Sequence, residues 1–343
     1  MNQELTDELT RILKAVTIIS PSEYSFAGLL VNIPPESGPS SSTHAVVGTS
    51  APIVSLQQLL YQHCYCHRFT GDLPSNTQVQ PQDLVPELSA ANTSRERWDS
   101  GWQIQQHLQA GQIVASKGGI TRALWPGEFM THDGPGMAPR PGASISVLVA
   151  KDSSTMQPGF YFVFADSLSD QQHDRHLVRF YWNVKATGAS RLIALITERL
   201  NRFEVPFRFK CATLDVMFTR MDSAVLYVSR RFFEITSMLL ADVYRSIAEH
   251  LEPDTPLFTK RFAPGFAFAE DPSNGESFGT SRCRFLAEAI WDAHERNLQT
   301  IPDKLDAIAK WFERNGLDVD RSYINPGSLD SYKFIHDQAA AER

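Results

Sequence analysis

The stretch LVRFYWNV (177–184), KATGASRLIALITERLNRFEV (185–205), PFRFKCATLD (206–215) and FTRMDSAVLYVSR (218–230) reads as strand, helix, strand, strand. The helical part places Leu192, Ile193, Leu195, Ile196 and Leu200 on one face. Cations fall inside or at the ends of the strands: Arg179, Arg208, Lys210 and Arg220. Strand alternation puts Arg179, Tyr181 and Asn183 on one face, with Phe180, Trp182 and Val184 opposite. Arg208 and Lys210 likewise share a face, and Tyr227 sits in the apolar run AVLYV. Packing does not call for these cations, whereas an anionic substrate does. Arginines hold a phosphate bidentately. Like charge disfavours the protonated form of a lysine among arginines, and such a lysine can act as a base. The plain alternative is a solvated sheet face with ordinary salt bridges, Asp222 pairing with one of the cations.

Outward from this stretch, SISVLVA (144–150) and GFYFVFAD (159–166) are further strands. Residues 118–142 are rich in Gly and Pro and read as a long irregular loop, either a substrate lid with Lys117, Arg122, Glu128, His132 and Asp133 or a structural connection. Its glycines do not fit a dinucleotide-binding pattern. The first 115 residues read as mainly helical. Helices are expected over 2–17, over 54–68, and from Thr93-Ser94 through Trp98 and Trp102 to about 110, with a Pro/Ser-rich loop at 33–52. Beyond the central stretch come a helix over 232–251, a Gly/Pro-rich loop over 262–279, and helices over 280–296 and 302–315. A polar, loosely packed tail follows Gly316. The expected architecture is α+β: a helical region at 1–115, an α+β domain with a mostly antiparallel sheet at 116–325, and a tail at 326–343.

Other clusters carry weaker chemistry. EDPSNGESFGTSRCR (270–284) leads a Gly-rich turn into a helix start, a seat for an anion. Arg282 in that first turn implies a nearby anion or one of Glu270, Asp271 and Glu276. His63, Cys64, Cys66 and His67 are metal-type residues without a second pair at usable spacing, so a buried helix with incidental cysteines is the plainer reading. His173 and His176 precede the first strand as possible proton shuttles or as solvated loop residues.

Composition sets the class. A 343-residue chain with 42% hydrophobic and 21% charged residues supports a sizeable core. Net charge −7 argues against broad nucleic-acid binding, so a basic site must be local. No apolar run approaches the ~20 residues that span a bilayer. The N-terminus does not resemble a secretory signal, and four cysteines make no disulfide framework, so a cytoplasmic setting is expected.

The pieces PGEFMTHDGPG, QPGFYFVFAD, VRFYWNV, PFRFKC, DSAVLYV and AEDPSNGESFGTSRCRFLAEAI resemble the HopA family of bacterial type III effectors over most of 115–296. Members of that family also occur in peptide natural-product pathways. There they work with a separate kinase-like protein: the kinase phosphorylates Ser or Thr of a precursor peptide, and the HopA-type protein eliminates phosphate. The strand order is also similar to that of the OspF/SpvC phosphothreonine lyases. That resemblance implies Lys210 as the base, Arg179 and Arg220 as phosphate contacts with Arg208 beside them, Tyr227 as the active-site tyrosine, and Arg282 as a later phosphate-binding arginine. Tyr181 stands where those lyases carry a general-acid histidine, so Tyr181, His176 or His173 donates the proton, or phosphate leaves without an acid. No metal or organic cofactor is implied. The alternative is a non-catalytic effector that binds a phosphorylated ligand or a host partner.

Overall fold

The computed structural model describes residues 1–33, 50–74, 80–132, 138–167, 176–272 and 274–334. Helix α1 (Gln3–Ala15) runs into a meander of β1 (Val16–Ser20), β2 (Glu23–Phe26) and β3 (Leu29–Asn32). The Asn2 side chain caps α1 by accepting from Leu5 N–H, and Leu9, Ile12 and Leu13 face inward. Helix α2 (Ala51–Leu60) continues as a π-helical turn, Tyr61–Tyr65, and α3 (Val85–Ala91) follows. Most of the Pro/Ser-rich loop read at 33–52, residues 34–49, lies outside the described residues.

Next comes a five-stranded antiparallel sheet: β4 (Arg97–His107), β5 (Ile113–Lys117), β6 (Ile120–Leu124), β7 (Phe129–Thr131) and β8 (Ser144–Val149), ordered β6-β5-β4-β8-β7. This corrects two expectations. The helix read through Trp98 and Trp102 is β4, whose bulge between Asp99 and Trp102 breaks the period of two and mimics helical spacing. Gly101, at φ +85°, supplies the bulge conformation. The segment at 118–142 is also not one irregular loop. Gly118 and Gly119, both at positive φ, make the two-residue turn of the β5–β6 hairpin. Trp102, Ile104, Ile113, Leu124, Ile145 and Val147 form a small core of their own.

The main sheet has seven strands, all antiparallel. It is built from β9 (Asp152–Gln157), β10 (Phe160–Phe164), β11 (Leu177–Trp182), β12 (Phe207–Ala212), β13 (Ala224–Ser229), β14 (Lys260–Ala263) and β15 (Phe266–Glu270). Its order is β14-β15-β11-β13-β12-β10-β9. Helix α4 (Ala189–Arg202) joins β11 to β12, and α5 (Phe233–Ile247) follows β13. Phe180, Leu226, Phe209 and Phe268 fill the face that α5 covers, with Phe180 and Phe233 stacked at 5.9 Å. The first half of the loop expected at 262–279 is the β14–β15 hairpin. Its turn residue Gly265 has φ +70°, and a Cβ there would meet the Glu252 carbonyl oxygen at 2.3 Å.

Helices α6 (Phe278–Glu295) and α7 (Ile301–Arg314) complete the fold. The segment after Gly316 is not loosely packed: Leu317, Val319, Tyr323, Ile324 and Tyr332 are buried in the main core. The Tyr332 hydroxyl donates to the buried carboxylate of Glu270. The α+β class read from the sequence is the class of the structure. Among the described residues no helix is long and apolar enough to cross a membrane.

Candidate functional site

Register decides what the cationic strands share. Arg179 on β11 pairs with Tyr227 on β13, and Tyr227 pairs with Arg208 on β12, so the three stand side by side on one face. One step along, Tyr181, Val225 and Lys210 form the next row of that face. The Tyr227 ring is flanked by guanidinium carbons, Arg179 at 5.1 Å and Arg208 at 4.9 Å from its centroid. Lys210 Nζ lies 4.2 Å from the Phe160 centroid, and Arg220 Cζ lies 5.8 Å from the same ring. Five of the sequence-marked residues therefore converge: Arg179, Arg208, Lys210, Arg220 and Tyr227.

Their electrostatic states differ. Arg179 is ion-paired with Asp271. Burial works against its charge, but Tyr181, Tyr227 and Asp271 outweigh that and hold its pKa above the ordinary arginine value. Arg220 grips Asp222 with two 2.9 Å bonds, and Asp222 is only 3% exposed. Arg220 also donates to the Tyr61 hydroxyl at 3.3 Å. Arg208 and Lys210 have no carboxylate partner among the described residues. Arg208 Nε is buried without a hydrogen-bond acceptor, and Lys210 Nζ has only Gln157 Oε1, at 3.5 Å. The face thus combines two anchored guanidiniums with two uncommitted cations.

Three expected residues sit differently. Tyr181 is on the same face but enclosed, its hydroxyl buried and, among the described residues, without a partner in bonding geometry, beside Tyr65 and Phe278. Burial, against the pull of Arg179, raises its pKa, so it is a neutral phenol. Arg282 is 2% exposed and does not reach the open face. Its guanidinium donates to the Ser322 and Ile324 carbonyls, at 2.7 and 3.3 Å, and to Ser281 Oγ. The acid expected beside it serves Arg284 instead, which binds Glu276 and Glu288. Burial pushes the Arg282 pKa down to about 10, against Tyr181, Glu270 and Glu276, and it stays charged at neutral pH. His176 is exposed, one residue before β11, and its carbonyl accepts from Arg230 N–H. His173 and Asp133 lie outside the described residues.

The structure adds residues that pattern reading missed. The π-helical turn places Tyr61 and Tyr65, stacked at 5.3 Å, against the cationic face. Tyr61 touches Arg220, and Tyr65 meets Tyr181 edge-on at 6.4 Å. Their i, i+4 spacing was visible in YQHCYCHRF, but the Cys and His residues drew attention there; Cys64 and Cys66 are simply buried. Among the described residues no group of three or more His, Cys, Asp or Glu is arranged to hold a metal ion.

Among the solved structures similar to this chain are two effector proteins. The effector protein from Pseudomonas syringae pv. tomato strain DC3000 is 20% identical, with a TM-score of 0.39 over 50% of this chain and 66% of that one. The effector protein from Pseudomonas syringae pv. syringae strain 61 is 14% identical, with a TM-score of 0.37 over 48% of this chain and 62% of that one. The match thus spans less than two thirds of either effector. No curated protein matches the chain. The model of the HopA1 effector protein family matches residues 151–324, just over half of the 343 residues and the whole of the cationic face, and the chain belongs to that family.

Proposed function

We propose that the cationic face is the site of a phosphoserine/phosphothreonine lyase, which removes phosphate from a phosphorylated precursor peptide and leaves dehydroalanine or dehydrobutyrine. The observation that carries this reading is the pairing of a lysine free of any carboxylate among the described residues with three converging arginines. A separate kinase-like protein installs the phosphate.

Lys210, as the free amine, takes the α-proton. The electron pair left behind forms the Cα=Cβ double bond, the Cβ–O bond breaks, and phosphate departs with the bonding pair. Arg208, which has no carboxylate partner among the described residues, turns to the phosphate, while Arg179 and Arg220 stay fixed by Asp271 and Asp222 and add charge without reorganising. Tyr227 fixes the spacing between Arg179 and Arg208. Tyr181 shapes the floor, and with its hydroxyl enclosed it is not positioned as the proton donor. Arg282 supports the helix behind the site.

In the test, a phosphopeptide incubated with the protein returns one water lighter than its unphosphorylated form, by mass spectrometry. Lys210→Ala abolishes that product while phosphopeptide binding survives; undiminished product in that variant removes Lys210 from the mechanism. The second reading, a binder of phosphorylated ligands, is favoured by the enclosure of the Tyr181 hydroxyl, and it returns the phosphopeptide intact.

A further inference from the structure

We propose that the free edge of β9 is a docking rail on which the segment flanking the phosphorylated residue of the peptide adds as an extra strand. The inference rests on reading the cationic face as a phosphopeptide site. Strand β9 ends the seven-stranded sheet, and only its β10 side is paired. Among the described residues no backbone group of 153–157 bonds to main chain outside that ladder. Residues 154–157 are exposed. Folds usually guard such an edge with lysine, proline, a bulge or a covering element. Ser153, Ser154, Thr155, Met156 and Gln157 include neither charge nor proline; the ladder to β10 is irregular between Ser153 and Gln157, and Thr155 N–H donates to Ser153 Oγ, so the open main-chain groups are those of the remaining residues.

The edge is continuous with the cations. Gln157 and Ser153 pair with Phe160 and Phe162, which stand on the face of Lys210. Gln157 Oε1 is the contact of Lys210 Nζ, at 3.5 Å. Strands lie about 4.8 Å apart, so a residue held in the ladder is too far from Lys210 to lose its α-proton. The flank therefore occupies the rail, and the phosphorylated residue crosses beyond Gln157 onto the cationic face. Docking through main-chain groups tolerates varied side chains, which suits a peptide modified at more than one Ser or Thr.

The probe is an Ala/Ser peptide with one phosphoserine and an extended flank, fluorescently labelled, with single backbone N-methyl groups walked along the flank. The expected result is at least a tenfold loss of affinity at alternate positions and little loss between them. Ser154→Pro, with its fold checked by circular dichroism, weakens binding of the long peptide to the same extent. A flat scan, or no binding of the probe to the wild-type protein, overturns the rail. A periodic scan without water loss keeps the rail and refutes the lyase reading, whereas water loss with a flat scan does the reverse. A dimer in sedimentation velocity that Ser154→Pro dissolves assigns the edge to a second copy of the chain and also overturns the proposal.

Discussion

Gly279→Ala tests how the π-helical turn is fitted to the site. A Cβ at Gly279 would lie 2.4 Å from Tyr65 Cε1 and 2.6 Å from both Cδ1 and Cζ. The Tyr65 ring cannot yield cheaply, since it is 2% exposed and wedged among Tyr61, Tyr181 and Phe278 at centroid distances of 5.3, 6.4 and 6.3 Å. Overpacking of this kind costs roughly 1–3 kcal/mol. Alanine recovers part of that in helix propensity, at most ~1 kcal/mol at an interior helical position and less in the first turn. A net loss of about 1–2 kcal/mol is expected, on the order of a few degrees in Tm. The displacement also moves Tyr61 off Arg220, so under the proposed function elimination should fall as well. A thermal-melt double-mutant cycle isolates the cause: in a Tyr65→Ala background, Gly279→Ala should cost nothing. Equal costs in the two backgrounds would refute the wedge argument.

Tyr332→Phe leaves the Glu270 carboxylate, 3% exposed, without one of its donors, and should cost about 1–3 kcal/mol in a melt; a neutral outcome would place the segment after Gly316 outside the cooperative core. Glu8 has its pKa raised to about 7 by burial, opposed by Arg68 and Arg11. The folded chain therefore holds a proton that the unfolded chain releases. The stability this supplies is full below the ordinary carboxylate pKa and is lost as pH rises through about 7. Glu8→Gln should flatten the melt between about pH 5 and pH 8 by ~1–3 kcal/mol, and an unchanged slope would count against it.

Much of the main sheet was legible because its strands carry strong signals. In VRFYWNV and PFRFKC the alternation is regular, and the cations stand out against aromatic neighbours. The register that aligns Arg179, Tyr227 and Arg208 is a non-local fact, but the shared face of Arg208 and Lys210 is local and was readable. Strand β4 was hidden by its bulge, and the two hairpins by turn glycines that read as loop. Arg282 misled because residue type does not say what satisfies it. Its partners are the carbonyls of Ser322 and Ile324, which nothing in the local sequence announces. Tyr61 was invisible as a site residue because Arg220 is 159 positions away.

The joining of distant segments in one core has a kinetic consequence. Leu9, Tyr65, Phe180, Phe312 and Tyr332 belong to the same buried cluster, and Asn2 donates to Asp320 at 2.6 Å. Contacts that close loops of this length are made late, because their chain entropy is lost before they stabilise anything. The sheet can assemble from its hairpins, but the cationic face is finished only when Tyr61 reaches Arg220, and the helix behind it is seated only when residues 322–324 meet Arg282. Under the proposed function, refolding followed by intrinsic fluorescence should therefore run ahead of recovered phosphopeptide binding. The limits of the family match at 151 and 324 mark where resemblance ends, while the unit that must fold to make the site extends beyond both.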